Sequence, residues 1–504
     1  MKKKDFSPVR WLENLRFSGD KKELVANSVV PKNIKVTVSF NDSSFCWESL
    51  TSKFFKFGAT PGTEIVVRLD EHDSSVSRTM VVPGKQYVRM SSNSVSGTRK
   101  KILNNIFAGK KIQSELMPFV KFLRDGQFRT LLEEESALNF IKSSDDLSLL
   151  AFGIFLVGLY EHRELLCPNT KACLVEFCAN YLESLPDLNL FELSLLSLAY
   201  RLNIISEEEQ VAKLDSYIEQ QLSLLESSLD DNFSIEQFIG LINLYEYTCN
   251  KSVKPIADKL LNESLKKLAM LSFDGVSFAL DIDLPAKQIV SLHNGSAQSV
   301  ISCFVPGVPL VYNPWNIFIV LSRFEPSFDL VGEVFAIREQ TCNNIKIHKT
   351  TAYLLADVCH NKLGIFGMAA LNKTCTVFSS YYDFYADEFC DLKQLKVPKI
   401  SLVDSFIKII YTMETLKDKK TMLYWPQDEF EKQYIEGNWV FAEVAQGRIA
   451  VNCSCQIVEY NDVLINKELE ASGNEVVWNI ICADKKEDSS LIEFSKRIKE
   501  KWIL

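Results

Sequence analysis

The side chains best suited to moving protons are few and widely spaced in this sequence. There are five histidines in 504 residues. One of them opens the polar run His293-Asn294-Gly295-Ser296, a loop composition between two halves of the chain. Further on, Tyr312-Asn313-Pro314-Trp315 places a phenol, an amide and a flat aromatic platform within four residues, and Arg323 follows two helical turns after Asn316. His348 and Tyr353 fall on neighbouring predicted strands. Tyr and His serve as general base or acid, and Asn, Gln, Arg or His neutralises a carboxylate. His293, Tyr312, Arg323 and Tyr353 are therefore the catalytic candidates. Asn294, Asn313, Trp315 and His348 are the substrate-binding candidates. Each has an ordinary structural alternative: a loop histidine, a helix start over a buried Trp, a packed strand residue.

Other chemistries find less support. Carboxylates pair at Asp281/Asp283 and at Asp383/Asp387/Glu388, but sequence gives no separation rule for a hydrolase pair. Trp425 and Trp439 suit stacking on sugar rings, yet their apolar neighbours suit burial better. His360 stands beside Asn361 in a turn, and His72 and His162 lie among charges. The 13 cysteines are scattered and contain no Cys-x-x-Cys pair, so no zinc ribbon is expected. Cys453-Ser454-Cys455 is their closest spacing and reads as two small buried hydrophobes. Metal spacings, phosphate loops, dinucleotide glycines and the nucleophile elbow are absent, and the reading includes no metal and no cofactor.

These candidates need a large scaffold, and the chain is long enough for two or three domains. An apolar fraction of 47% with 24% charged residues is that of a globular protein, and 33 phenylalanines predict aromatic cores. A net charge of −9 and a pI near 5.4 argue against a general nucleic-acid binder. Arg99-Lys100-Lys101 and Lys417 to Lys420 read as solvated surface. No apolar run reaches the roughly 18 residues of a membrane span. The polar residues after Met1 to Lys4 do not form a secretory signal, and unpaired cysteines suggest a reducing, cytoplasmic setting.

Three regions follow. Residues 1–95 read as a small β-rich domain, with Ile34 to Phe40 alternating and Ser91 to Lys101 as a linker. Residues 102–324 read as a helical domain, with starts near Asp145, Pro168, Asn189, Ser206, Ser234 and Pro255. Ser206 and Ser234 have capping-box form and Asn189 with Glu192 is a weaker version. Stacked helical hairpins without a strict repeat fit a toroid or solenoid. Residues 325–504 read as an antiparallel β-sandwich with a C-terminal helix. Its predicted strands begin at Val331 to Arg338 and end at a central Glu475 to Cys482; Arg448 to Cys455 alternates strictly, one face apolar and one polar. The fold class is thus multidomain α+β: a small N-terminal β segment, a central α/α toroid-like block and a C-terminal sandwich.

The second half also carries a residue-level resemblance. Lys346-Ile347-His348-Lys349-Thr350-Thr351-Ala352-Tyr353-Leu354, Tyr424-Trp425-Pro426, Gly437-Asn438-Trp439-Val440-Phe441-Ala442 and Val477-Trp478-Asn479-Ile480 resemble, in order and spacing, segments of heparinase II/III-like and alginate-lyase-like proteins. The resemblance covers roughly Leu268 to Ile498 and implies an (α/α) toroid plus sandwich with a sugar-chain cleft between them. It implies a polysaccharide-lyase-like activity, the β-elimination of an acidic or modified oligosaccharide. The alternative is a catalytically degenerate glycan-binding or scaffold protein of the same fold. A polysaccharide is the implied partner, and homo-oligomerisation stays open. The chain departs from the pattern where Val276-Ser277-Phe278-Ala279-Leu280 follows Asp274-Gly275 in place of a polar stretch. Ile365, Phe366, Gly367 and Met368 likewise stand where His, Trp and Gln tend to occur.

Overall fold

A computed structural model describes residues 7–502 except 18–22, 48–53, 57–63, 82–94, 163–167, 228–232, 280–294, 382–396, 413–419, 467–474 and shorter breaks of one to four residues. The chain is multidomain α+β, with a small N-terminal β segment, a toroid-like helical block and an antiparallel sandwich. No helix of the described residues is long and apolar enough to cross a membrane.

The N-terminal part pairs strands in the order Ser43–Trp47, Lys35–Phe40, Glu64–Glu71, Ser74–Val81. Period-two alternation sends Val36, Val38, Ile65, Val67 and Leu69 inward, where Trp11 and Leu12 of helix α1 (Pro8–Glu13) cover them. Arg78 joins this unit to the rest. Its Nη1 donates to the carbonyl of Leu12 at 2.7 Å and its Nη2 lies 3.4 Å from Asp329. The run Gln86 to Met90 lies outside the described residues.

The helical block comprises α2 (Val95–Phe107), α3 (Met117–Asp125), α4 (Leu131–Ile141), α5 (Asp146–His162), α6 (Pro168–Glu183), α7 (Leu190–Arg201), α8 (Glu208–Ser227), α9 (Ile235–Tyr247), α10 (Val253–Met270), α11 (Ser296–Phe304), α12 (Asn316–Leu321) and α13 (Leu330–Phe335). Helix starts fall within about two residues of the expected positions. Asn189 makes the complete capping box: its side chain accepts from the Glu192 N–H at 3.0 Å, and Glu192 accepts from the Asn189 N–H at 2.7 Å. The expected linker is replaced from Val95 onward by α2. Arg99 is not solvated surface. Its guanidinium donates to the carbonyls of Ser322 and Phe324 at 3.0 and 2.9 Å and lies 4.8 Å over the Phe304 ring. Burial lowers its pKa.

An inner ring runs α2–α3–α5–α7–α9–α11 and returns to α2, while α4, α8 and α10 pack outside it. α5 is apolar all round between Leu149 and Leu159, as a helix buried on every face must be, and α7 and α9 are buried over most of their length with polar residues towards their ends. The short helix α12 fills the middle of this ring. It contacts α2, α5, α9 and α11, and Phe318 meets Phe191 of α7 edge-on at 5.8 Å. Gly153 of α5 makes room for it, because a Cβ there would stand 3.0 Å from Cζ of Phe318.

The sandwich has two antiparallel sheets. The first runs Arg338–Cys342, Ile345–Lys349, Leu354–His360, Ile365–Ala370, Thr376–Tyr381, Thr421–Tyr424, Val463–Asn466, Ile457–Tyr460. The second runs Lys399–Val403, Phe406–Thr412, Glu475–Asp484, Gly447–Cys453, Trp439–Val444, Lys432–Glu436, so Glu475–Asp484 is central as expected. One expectation fails: Val331 to Phe335 is helix α13, not strand. Asp329 caps it by accepting from the Gly332 N–H at 3.1 Å, and the strand begins only at Arg338. A second is modified. The alternate face of Gly447–Cys453 is not open to water, because the terminal helix α14 (Leu491–Trp502) lays Leu491, Phe494 and Ile498 over Ala450, Ile481 and Phe441.

Under that helix, Arg448 donates to Glu443 at 3.1 Å and to the Asp488 carbonyl at 2.9 Å, and Lys432 donates to Glu443 at 2.9 Å. Burial pulls the Glu443 pKa up, but the bonds from Lys432 and Arg448 outweigh it and hold the carboxyl below its usual range. The depressed folded-state pKa means that Glu443 contributes stability at neutral pH, and this is lost as pH falls through its folded value. Urea midpoints measured from pH 7 down to pH 3 should decline, and Glu443→Gln should flatten part of that decline. Truncating the central ring, Phe318→Ala, should cost about 3–5 kcal/mol in the same assay, since that side chain is 1% exposed.

Candidate functional site

The sandwich joins the helical block through its first sheet. Ile345, Ile347, Leu354, Ala356 and Val358 share one hydrophobic core with the helices. At the rim of this junction stands the hairpin Ser272–Phe273/Val276–Ser277, which follows α10. Asp274 (φ 51°) and Gly275 (φ 76°) turn it, both left-handed, the conformation an Asp-Gly hairpin turn requires. Val276, Phe278 and Ala279 after the turn are buried, which explains why this stretch is apolar where the resembling proteins tend to be polar. Gln298 of α11, fully buried, fixes the hairpin by accepting from the Ser277 N–H at 2.7 Å and donating to the carbonyls of Gly275 and Pro309 at 3.2 and 2.9 Å.

Lys349 closes the junction from the sandwich side. It is 6% exposed, and its ammonium donates to the carbonyls of Ser272, Val334, Glu333 and Ala269 at 3.0, 3.2, 3.3 and 3.4 Å. Three of these lie at helix ends, where carbonyls lack intrahelical partners and the dipole favours a cation. A crevice of about 20 Å³ remains beside it, lined by Asp274, Phe335, Thr350 and Thr351, with room for about one water. The sequence reading missed Lys349. Its parity with the buried Ile345 and Ile347 along one strand face was the available signal.

The sequence candidates are distributed as follows. His293 and Asn294 lie outside the described residues. Tyr312 accepts a hydrogen bond from Asn105 Nδ2 at 2.9 Å, against α2. Asn313 accepts from the Trp315 N–H at 3.1 Å and starts the turn into α12. Trp315 is half-buried, edge-on to Phe191 at 4.8 Å. Arg323 is exposed beyond the other end of α12, its backbone N–H bonded to Glu246 at the end of α9. His348 and Tyr353 do meet: Nε2 of His348 lies 3.1 Å from the Tyr353 hydroxyl, with the rings stacked at 5.6 Å.

That pair faces away from the helices. Tyr353 belongs to the inter-sheet core with Leu355, Val377 and Leu423, whereas Lys349, in opposite parity to His348, faces the helical block. Burial drives the Tyr353 pKa up, and Cys482 and Glu487 add to this. Its phenol therefore stays protonated at neutral pH and is a weaker acid than an ordinary tyrosine. The pair is also far from Arg323. Arg323 bonds Glu246 in the last turn of α9, just ahead of α10 in the chain, Ser327 bonds Asn262 midway along α10, and Lys349 reaches the last turn of α10. The 18 residues of α10 span about 27 Å. Tyr312, Arg323 and Tyr353 thus do not surround one point. The paired carboxylates Asp281/Asp283 and Asp383/Asp387/Glu388 lie outside the described residues.

No family model matches the chain, and no curated protein matches its sequence. Among solved structures it is similar to the crystal structure of heparinase III, at 10% identity over 78% of each chain, with a TM-score of 0.38.

Replacing Lys349 by Met keeps the stem and removes the ammonium from four carbonyls. Lys349→Met should lower stability by about 1–3 kcal/mol, read as a shift in the urea midpoint.

Proposed function

We propose that this chain is a catalytically degenerate protein of the toroid-plus-sandwich architecture, a scaffold that binds acidic oligosaccharide without cleaving it. The observation that carries this reading is the dispersal of the candidates: Tyr312 and Arg323 lie on either side of α12, which fills the helical ring, and Tyr353 lies in the inter-sheet core of the sandwich. Eliminative cleavage needs a carboxylate-neutralising group, a base and an acid within hydrogen-bond reach of one sugar unit. An arginine bonded at the end of α9 and a phenol in the inter-sheet core do not meet that condition. The glycan part of the reading rests on the ordered resemblance of Lys346 to Leu354 and Gly437 to Ala442.

A lyase is the second reading, and the His348–Tyr353 contact favours it, since an acid and its hydrogen-bonded partner are already paired. The two readings separate in one experiment. The full chain is incubated with alginate, heparan sulfate and hyaluronan, and ultraviolet absorbance of the unsaturated uronate product is followed alongside binding calorimetry. Saturable binding to at least one polymer with no absorbance rise is the expected result. A steady rise that Tyr353→Phe abolishes would establish the lyase. Silence in both channels would remove carbohydrate from the reading altogether.

A further inference from the structure

The two sheets of the sandwich are connected by a short crossover, and two cysteines sit on it. Cys453 is the last residue of Gly447–Cys453 in the second sheet, and Ile457 begins the edge strand Ile457–Tyr460 in the first. Cys453 is 1% exposed within the inter-sheet core, while Cys455 packs against the same core and is half-buried. We propose that Cys453 and Cys455 are a dithiol modification site, oxidised by hydroperoxides to an intrachain disulfide at this crossover.

The local geometry favours closure. The backbone N–H of Cys455 donates to Sγ of Cys453 at 3.5 Å, so the buried sulfur is turned along the chain toward Cys455. The chain bends at Ser454, and the bend is pinned to the neighbouring central strand. The Ser454 N–H donates to the Val477 carbonyl at 2.9 Å, and Ser454 Oγ accepts from the Val477 N–H at 3.0 Å. Two residues along a straight strand are about 6.6 Å apart. Disulfides usually join Cα atoms about 4.4–6.8 Å apart, so a bend brings the pair further into range.

The order of events follows from exposure. Burial pushes the Cys453 thiol up to about 12, so it does not ionise first. Cys455, partly open to water, attacks one peroxide oxygen, and its thiol proton passes to the departing oxygen. The O–O bond breaks, giving a sulfenic acid and the corresponding alcohol or water. Sγ of Cys453 then attacks the Cys455 sulfur. The S–S bond forms, and hydroxide leaves and takes up the Cys453 proton as water. Two electrons pass from the two thiols to the peroxide.

Trypsin places both residues, and no other cysteine, in one peptide, Ile449 to Lys467. The native full chain is treated with hydrogen peroxide, quenched, unfolded, alkylated with iodoacetamide and digested. The expected product is this peptide unalkylated and lighter by two hydrogens, becoming doubly alkylated when dithiothreitol precedes the alkylation. In Cys455→Ser, which changes the half-exposed partner, Cys453 should stay reduced and be fully alkylated. In Cys453→Ser, Cys455 should accumulate as a dimedone-reactive sulfenic acid. A doubly alkylated peptide after peroxide in the unsubstituted chain would overturn the proposal. So would a sulfinic product at Cys455, or its cross-link to another cysteine.

Discussion

Most of the helical architecture depends on the short helix α12 standing inside the ring of longer ones. A ring of six helices encloses more space than its own side chains fill, and interiors are close-packed. Here the space is taken by Ile317, Phe318 and Ile319, all essentially inaccessible, with Trp315 set against Phe191 at one end. The ring helices answer with small or compact residues where α12 approaches. Gly153 admits the Phe318 ring, and Gly240 lets α9 come within van der Waals reach of the α7 backbone at Leu190. Asn243 Nδ2 donates to the Ser194 hydroxyl at 3.1 Å across that same α7–α9 contact, which gives one of the buried amide's two polar atoms a partner.

The same plug governs where reactive side chains end up. Tyr312 and Trp315 lie before α12 and Arg323 lies after it, so residues that look like one cluster in the sequence are held apart by the helix between them. Arg99 then ties the far end, bonding the backbone that leaves α12 to the first helix of the ring. An arginine suits this task, because its planar fork spans several carbonyls at once.

At the opposite end, the block is fixed to the sandwich by groups that satisfy backbone atoms, with the longer ion pair of Lys373 and Asp274 at 4.0 Å beside them. Lys349 and Gln298 saturate carbonyls and an N–H at the ends of α10, α13 and the Asp274-Gly275 hairpin. Buried polar groups cost free energy unless paired, and here the pairing is what registers one domain on the other. Inside the sandwich the phenols are packing elements. Tyr353, Tyr381, Tyr411 and Tyr424 all have pKa values raised by burial, and Tyr411 is bonded to Ser379 at 2.8 Å.

By itself the sequence determined the element types and their order. Alternation marked Lys35–Phe40 and Gly447–Cys453, the Asn189 box marked α7, and the unbroken apolar run of Glu475–Asp484 marked the central strand, because these are local periodicities and caps. Where a cap competed with β-branched residues, as Asp329 did ahead of Val331, local pattern misread a helix as strand. Only the tertiary structure decided which residues meet. His348 and Tyr353 came together because they flank one tight connection whose Thr350 side chain accepts from the Ala352 and Tyr353 N–H groups. Arg323 was carried to the end of α9, and Lys349 was drawn into a cage of carbonyls supplied by residues 15 to 80 positions away. Such contacts depend on how whole helices and sheets pack, and no spacing along the chain encodes that directly.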